Sequence, residues 1–410
     1  MRKVLELTES GRHTNVTLDI DQARWLHTSG VASVSPGREV GSYDLQVGHV
    51  VGALSLGDLQ IAVRPKLPVR NTMWLLALSG TEPQWSEEAV LLGSSDIVEV
   101  LAQLYIRELD ALLQRGLVSG YRRVEATDVV LRGRLRMREQ FGRRFGQLYP
   151  LDIEYDEFDR NTTENQMLLT AALVLEELLQ SSRSAISPEL SRLLPHFAGV
   201  EAWTAGVDQP TLQLTRLNVH YSRALEIASL ILDGVGVSEE YGVRSGQGII
   251  FPMWKVFERF VARVLASHFG DSAVDAQHSR RLFTDGRPAI QIRPDIVLRS
   301  GPSITAVIDT KYKTADPASA DLYQMSTYAS VLKVPDVTLL YAEPIPPQTL
   351  TIAGSGARIH LRGVDLSREL DAIVEDILAV SADLPIEQGG QGTNFGWRSS
   401  QTGSLPGPRP

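Results

Sequence analysis

Two short apolar runs joined by a Gly-Pro turn constrain this chain more than any other segment: residues 292–313 read IRPDIVLRSGPSITAVIDTKYK. Both runs are rich in β-branched residues, which predicts two strands, 289–298 and 304–311, folded back as a hairpin. Successive side chains of a strand point to opposite faces, so Asp309 and Lys311 share one face. Asp295, behind Pro294 at the end of the preceding strand, can meet them across the hairpin. Two carboxylates and one ammonium on rigid backbone suit a hard cation with a charged assistant, chemistry fit for hydrolysing phosphodiesters.

The rest of the chain sets bounds on that reading. At 410 residues it is long for one domain, so two or three are expected. The glycine-dense stretch 234–248 (GVGVSEEYGVRSGQG) places the main boundary near residue 245. The expected division is therefore 1–245 as an N-terminal region, 246–385 as a second domain, and 386–410, rich in Gly, Ser, Pro and Gln, as a disordered tail. There is no cysteine, which excludes disulfides, thiol nucleophiles and cysteine-ligated zinc or iron–sulfur sites and fits a cytoplasmic location. No apolar run approaches the ~20 residues of a membrane span, and no secretory signal is expected, so no membrane partner is foreseen.

The net charge of −9 argues against a nonspecific nucleic-acid coat but not against a nuclease, because binding follows local patches. One patch is plain. Residues 131–145 (LRGRLRMREQFGRRF) set Arg132, Arg134, Arg136, Arg138, Arg143 and Arg144 against a single acid, Glu139. Alternation with Gly133, Leu135 and Met137 favours a strand or extended arm with one basic face. That face is either solvated or a contact to DNA phosphate or an acidic partner surface, since guanidinium binds both bidentately.

Along the chain, 47–56 and 59–63 are apolar runs split by Gly57-Asp58, a hairpin signal stopped by Pro65. Residues 96–117 carry apolar positions at helical spacing up to Gly116; 156–179 opens with Asn and Thr capping candidates and reads as a second helix, and 221–232 as a third. In 251–269 (FPMWKVFERFVARVLASHF), Val256, Phe257, Phe260, Val261, Val264 and Leu265 form a buried stripe. Glu258 lies beside that stripe, where an acid needs a partner. It is either a surface acid paired with Lys255 or Arg259 or a further acid turned toward the strand-borne site. After the hairpin, a helix beginning near Asp321 carries Gln324 and Tyr328 on one face; strands at 337–341 and near 358–361 follow.

This αββαβ order, with Pro294-Asp295 and Asp309-Thr310-Lys311 at strand ends, resembles the core of the PD-(D/E)xK nuclease superfamily. Gln324-x-x-x-Tyr328 resembles the QxxxY motif of its RecB-like branches. The bare pattern is weak, and a structural salt-bridge cluster is the bland alternative; its setting between Phe251 and Tyr341 raises it. The expected fold class is mixed α/β (α+β), a restriction-endonuclease-like core preceded by a β-rich and helical N-terminal region. Asp295, Asp309 and the Thr310 carbonyl offer hard oxygens to Mg²⁺ or Mn²⁺. Glu258 would complete the shell, and Lys311 would orient or help deprotonate water. Gln324 and Tyr328 would hold the site or a DNA phosphate.

The stretches 52–67 and Leu131-Arg-Gly-Arg-Leu135, the 156–168 run with Asn161 and Asn165, and Phe251-Pro-Met-x-x-Val-Phe-Glu-Arg-Phe260 are together similar to the McrC family, the nuclease subunits of McrBC 5-methylcytosine-dependent restriction systems. The resemblance implies catalytic roles for Asp295, Asp309 and Lys311. It also implies a partner, a McrB-like hexameric AAA+ GTPase that the N-terminal half contacts and stimulates, and modified double-stranded DNA as substrate. No G-x-x-x-x-G-K-[ST] occurs, so no nucleotide is expected on this chain itself. The alternatives are a RecB-like repair nuclease working with a helicase, and a noncatalytic activator of the motor.

Overall fold

The computed structural model describes residues 3–79, 96–147, 149–203, 216, 218–234, 247–276, 278–283, 290–313 and 318–382. The glycine-dense connection (235–246) and the expected tail (386–410) lie outside the described residues. Two compact units emerge, Met1–Met73 with Gly80–Pro252 and Trp74–Ser79 with Met253–Pro410.

The first unit begins with β1 (Lys3–Thr8), β2 (Arg12–Thr17), β3 (Ala32–Pro36), β4 (Ser42–Val47), β5 (Val50–Leu56) and β6 (Leu59–Arg64). Gly57-Asp58 makes the expected turn from β5 into β6, and Pro65 follows the last ladder residue. The run 47–56 is divided, with Gly48-His49 separating β4 from β5. Further on come β7 (Gly120–Asp128), β8 (Arg134–Leu135), β9 (Leu151–Asp159) and β10 (Gln247–Pro252). The sheets are ordered β1-β6-β5-β10, β2-β4-β3 and β7-β9-β8. Every residue of β5 is buried, which is why it reads as one continuous apolar run. Gly52 in β5 has φ +131°, and a Cβ there would strike the Ile249 carbonyl of β10, so only glycine lets these strands close. The strand β10 begins just past the expected boundary at 245 yet pairs with β5 of this first unit.

Two expectations are corrected here. Residues 156–159 are not helix: they complete β9, antiparallel to β7, and the helix runs Thr163–Ser182. Leu151, Ile153 and Tyr155 alternate with acids, a strand period that governs up to Asp159. Thr162 then caps the helix by accepting from Asn165 N at 3.4 Å. The basic run is not one extended strand either. Only Arg134–Leu135 joins the ladder, and Met137–Arg143 is a short helix. The cause is Gln140, a buried amide that accepts from Asp152 N (2.7 Å) and donates to the Gln147 and Pro150 carbonyls (3.2 Å each). These bonds pin the chain into a turn. The helix Ile97–Leu113, capped by the Asp96 carboxylate on Val98 N, and the helix Ser222–Gly234 lie where the periodicity put them.

In the second unit the helix Met253–Phe269 buries Val256, Phe257, Phe260, Val261, Val264 and Leu265, the expected stripe. The strands are β11 (Val274–Ala276), β12 (Arg280–Arg281), β13 (Gln291–Ile292), β14 (Ile296–Ser300), β15 (Ser303–Lys311), β16 (Asp336–Tyr341), β17 (Gln348–Thr351) and β18 (Arg358–Gly363). Six form one sheet, ordered β11-β14-β15-β16-β18-β17; β14 and β15 are antiparallel, while β15-β16 and β16-β18 are parallel. The helix Ser319–Leu332 is the crossover that parallel neighbours require. The mixed α/β class and the αββαβ order are as expected. The strand expected at 289–298 is broken, however, by Arg293-Pro294-Asp295 between β13 and β14. Proline has no ladder donor, so the chain bends there. Val297, Val307, Met325, Val337, Leu339 and Tyr341 centre the core between the sheet and this crossover helix. Among the described residues no helix is long and apolar enough to cross a membrane.

Candidate active site

The ladder between β14 and β15 ends at the pair Ile296↔Ile308. The next residues, Asp295 and Asp309, therefore stand at its open end, beside the bend made by Pro294. One oxygen of Asp295 accepts from both Thr310 N and Thr310 Oγ1, each at 2.8 Å. Asp309 is 1% exposed. Its Oδ2 lies 2.5 Å from Lys311 Nζ, two residues along the same face of the strand.

From Lys311 the contacts run in a loop. Its ammonium donates to Gln324 Oε1 (3.3 Å), Gln324 Nε2 donates to Tyr328 Oη (2.6 Å), and Tyr328 Oη donates to the Arg293 carbonyl (3.0 Å). Gln324 and Tyr328 are one helical turn apart, which lets a single face link the lysine of β15 to the bend that carries Asp295. Tyr328 is buried, so it serves both core packing and this tether. The structure thus brings together Asp295, Asp309, Lys311, Gln324 and Tyr328.

Charge sharpens the picture. Burial pushes the Asp309 carboxyl up to about 6, and the Asp295 charge adds to it against the pull of Lys311. Burial likewise raises Glu258 to about 7, helped by Asp295 and opposed by Arg259. Burial would lower Lys311, but Asp309, Asp321 and Asp295 outweigh it and hold the ammonium above the ordinary lysine range. Glu258, on the helix Met253–Phe269, feels the charges of Asp295 and Asp309 as well as those of Arg259 and Lys255.

Two participants were not singled out from sequence. Asp321, buried on the crossover helix, holds Lys313 (2.6 Å) and lies 3.8 Å from Lys311. The signal was available, since Asp321 precedes Gln324 by three residues and so shares its face. The Thr310 hydroxyl as a second donor to Asp295 carried no signal, because its residue type and spacing look like any strand threonine.

The carboxylate oxygens of Asp295 and Asp309 are the donor type that a hard divalent cation takes, and Asp309 Oδ2 is buried against the Lys311 ammonium. Among the described residues no three His, Cys, Asp or Glu side chains close into one metal-holding group. Thr310 holds Asp295 and Lys311 holds Asp309.

The arginine run sits elsewhere, in the first unit. Arg132 pairs with Asp128 (2.9 Å) and covers the Tyr155 ring at 5.4 Å. Arg134 pairs with Glu154 (3.0 Å), Arg136 with Glu125 (2.6 Å) and Glu139 (2.9 Å), and Arg144 with Asp152 (3.4 Å). Much of its charge is therefore spent within its own small sheet, while Arg138 and Arg143 remain exposed.

No curated protein matches this chain. Among solved structures it is similar to a chain of the refined half-complex from a tetradecameric assembly of Thermococcus gammatolerans McrB AAA+ hexamers with bound McrC, with 18% identity, 93% of this chain and 100% of that one covered, and a TM-score of 0.58. A chain of the cryo-EM structure of the Thermococcus gammatolerans McrBC complex matches at 21% identity over 64% of this chain and 87% of that one, with a TM-score of 0.42. The first of these likenesses establishes a shared fold. The family model for McrBC 5-methylcytosine restriction system components matches residues 45–342, from within β4 to just past the end of β16. With well over half its length matched, the chain belongs to that family of restriction-system components.

Proposed function

We propose that this chain is the cleavage subunit of a modification-dependent restriction complex: a Mg²⁺- or Mn²⁺-dependent PD-(D/E)xK endonuclease that cuts double-stranded DNA and stimulates a McrB-like hexameric AAA+ GTPase. The observation that carries the reading is the buried Asp309–Lys311 pair beside Asp295, tied through Gln324 and Tyr328 to the bend that presents Asp295. Family membership, and a fold shared with a chain from an assembly of McrB hexamers with bound McrC, support the motor partner.

Asp295 and Asp309, with the Thr310 carbonyl and Glu258 nearby, would hold the cation. When bound, the cation supplies Lewis-acid polarisation of the scissile phosphate and a water of lowered pKa. The protein does the positioning. Thr310 fixes Asp295 in one rotamer by two hydrogen bonds, and the sheet fixes Asp309. Lys311, held charged by three carboxylates, directs its ammonium at the phosphate oxygens and the attacking water. Glu258, whose carboxyl burial and the Asp295 charge push up to about 7 without a cation, would give up its proton as the cation binds.

The test is co-purification with an AAA+ GTPase encoded beside this chain, followed by incubation with methylated and unmethylated DNA, GTP and Mg²⁺. Cutting of methylated DNA that needs both GTP and Mg²⁺ is expected. Cutting that instead requires a helicase and ATP moves the chain to RecB-like repair. A complex that hydrolyses GTP but never cuts, with any metal, makes it a noncatalytic activator.

A further inference from the structure

The catalytic neighbourhood is crowded with carboxylates, but the ground beside it is the reverse. Before the bend at Pro294, Gln291 and Arg293 are exposed while Ile292 between them is buried. Register sets Arg281 of β12 opposite Gln291 of β13. Directly opposed residues of an antiparallel pair share a face, so Arg281 and Gln291 point the same way. Ser279 Oγ donates to Gln291 Oε1 (2.9 Å) and the Arg293 guanidinium reaches toward the same oxygen (3.5 Å). The amide is thereby held with its NH₂ turned outward. Neither Arg281 nor Arg293 forms an ion pair among the described residues, which sets them apart from Arg132, Arg134, Arg136 and Arg144.

A cavity of about 380 Å³ opens at this place, lined by Gln291, Ile292, Arg293, Gln324, Thr327 and Tyr328. Its polar wall consists of amides, hydroxyls and one guanidinium, and no carboxylate lines it. That lining offers donors to an anion, although the charges of Asp309 and Asp295 are felt at Tyr328. Two of its walls are the site's own supports: Gln324 bonds Lys311, and Tyr328 bonds the Arg293 carbonyl. An anion seated here is thus physically continuous with one seated at Lys311.

We infer that the cavity and the Arg281–Arg293 face together form a subsite for a backbone phosphate of the DNA strand, adjoining the phosphate cut at Asp309 and Lys311. The inference rests on the nuclease reading and adds to it the element that tracks the strand. Guanidinium binds phosphate through paired N–H donors, and each phosphate neutralised releases condensed counterions, which makes the contact readable from salt dependence.

The experiment uses the full chain in EDTA, so that nothing is cut, and a short fluorescein-labelled DNA duplex followed by anisotropy across graded NaCl. Arg281→Gln with Arg293→Gln is expected to weaken binding by about fivefold or more and to reduce the slope of log affinity against log salt by roughly 1 to 2. Arg24→Gln, an exposed arginine of the first unit, is the control and should leave both unchanged. Thermal melts confirm that the double variant folds; both arginines are exposed, so it should. Unchanged slope and affinity in the double variant overturn the inference, as does a wild type without salt-dependent binding. Displacement of the duplex by inorganic phosphate at equal potency also overturns it, since that marks a pocket for free phosphate. Any of these failures leaves the nuclease reading standing, because that reading depends on cutting at Asp309, which is measured separately.

Discussion

At the scale of single residues, the candidate site is an arrangement of groups whose preferred protonation is set by one another. Glu258 is the clearest case. Its folded-state pKa, about 7, lies above the ordinary carboxylate value because of burial and the Asp295 charge. A raised carboxyl favours the fold while protonated, so its contribution is fully present below about pH 4.5 and is lost as pH rises through about 7. Without divalent metal, Glu258→Gln should therefore raise the melting temperature at pH 8 by a few degrees and leave it nearly unchanged at pH 4.5. Melting curves at the two pH values in EDTA test this. Equal effects at both would show that Glu258 does not feel the other acids. The candidate residues themselves were legible because each is a chemically distinctive type in a constrained setting: acids at the ends of apolar strands, a lysine two residues on, Gln324 and Tyr328 one turn apart. The Tyr328-to-Arg293 bond was not legible, because a main-chain carbonyl far off in sequence leaves no mark on residue types.

At the scale of elements, periodicity worked where one face of an element meets one core. The stripe of Met253–Phe269 and the β-branched runs of β14 and β15 are of this kind. It failed where short-range polar bonds decide. The amide of Gln140 turns the basic run into a helix, and the alternating acids of β9 run almost directly into the capping residue Thr162, so the border between strand and helix falls inside the 156–179 stretch. Asn165 belongs to the same class. Its fully buried amide donates to the Val118 and Arg160 carbonyls (3.0 and 2.7 Å) and accepts from Tyr221 Oη (2.8 Å), joining helix Thr163–Ser182 to the approach to β7. A residue that marks the family resemblance thus has a structural role in the first unit. Asn165→Ala takes the amide donor from two carbonyls and the acceptor from the Tyr221 hydroxyl, which keeps only Val118 N, and should cost about 2–4 kcal/mol. Urea unfolding measures it; a loss under about 0.5 kcal/mol would mean that water replaces the amide freely.

At the scale of the molecule, the family match spans both units, while the candidate site belongs to one. The acids, Lys311 and their tether all lie in the second unit, and the match begins in β4 of the first and runs through them. Under the proposed function the first unit serves the motor and the second cuts, so loss of cutting and loss of motor stimulation should be separable by mutation. Asp309 is the position to change. It is buried, paired with Lys311 and placed at the open end of the hairpin, and its removal takes away the lysine's counter-charge and, under the proposed function, a ligand of the cation. The decisive measurement is cleavage of methylated DNA by the assembled complex with GTP and Mg²⁺, comparing wild type with Asp309→Ala while GTP hydrolysis is followed in the same tube. The account predicts cleavage reduced at least about a thousandfold, with stimulated GTP hydrolysis intact. Cleavage surviving near the wild-type rate would contradict it and move the catalytic centre elsewhere.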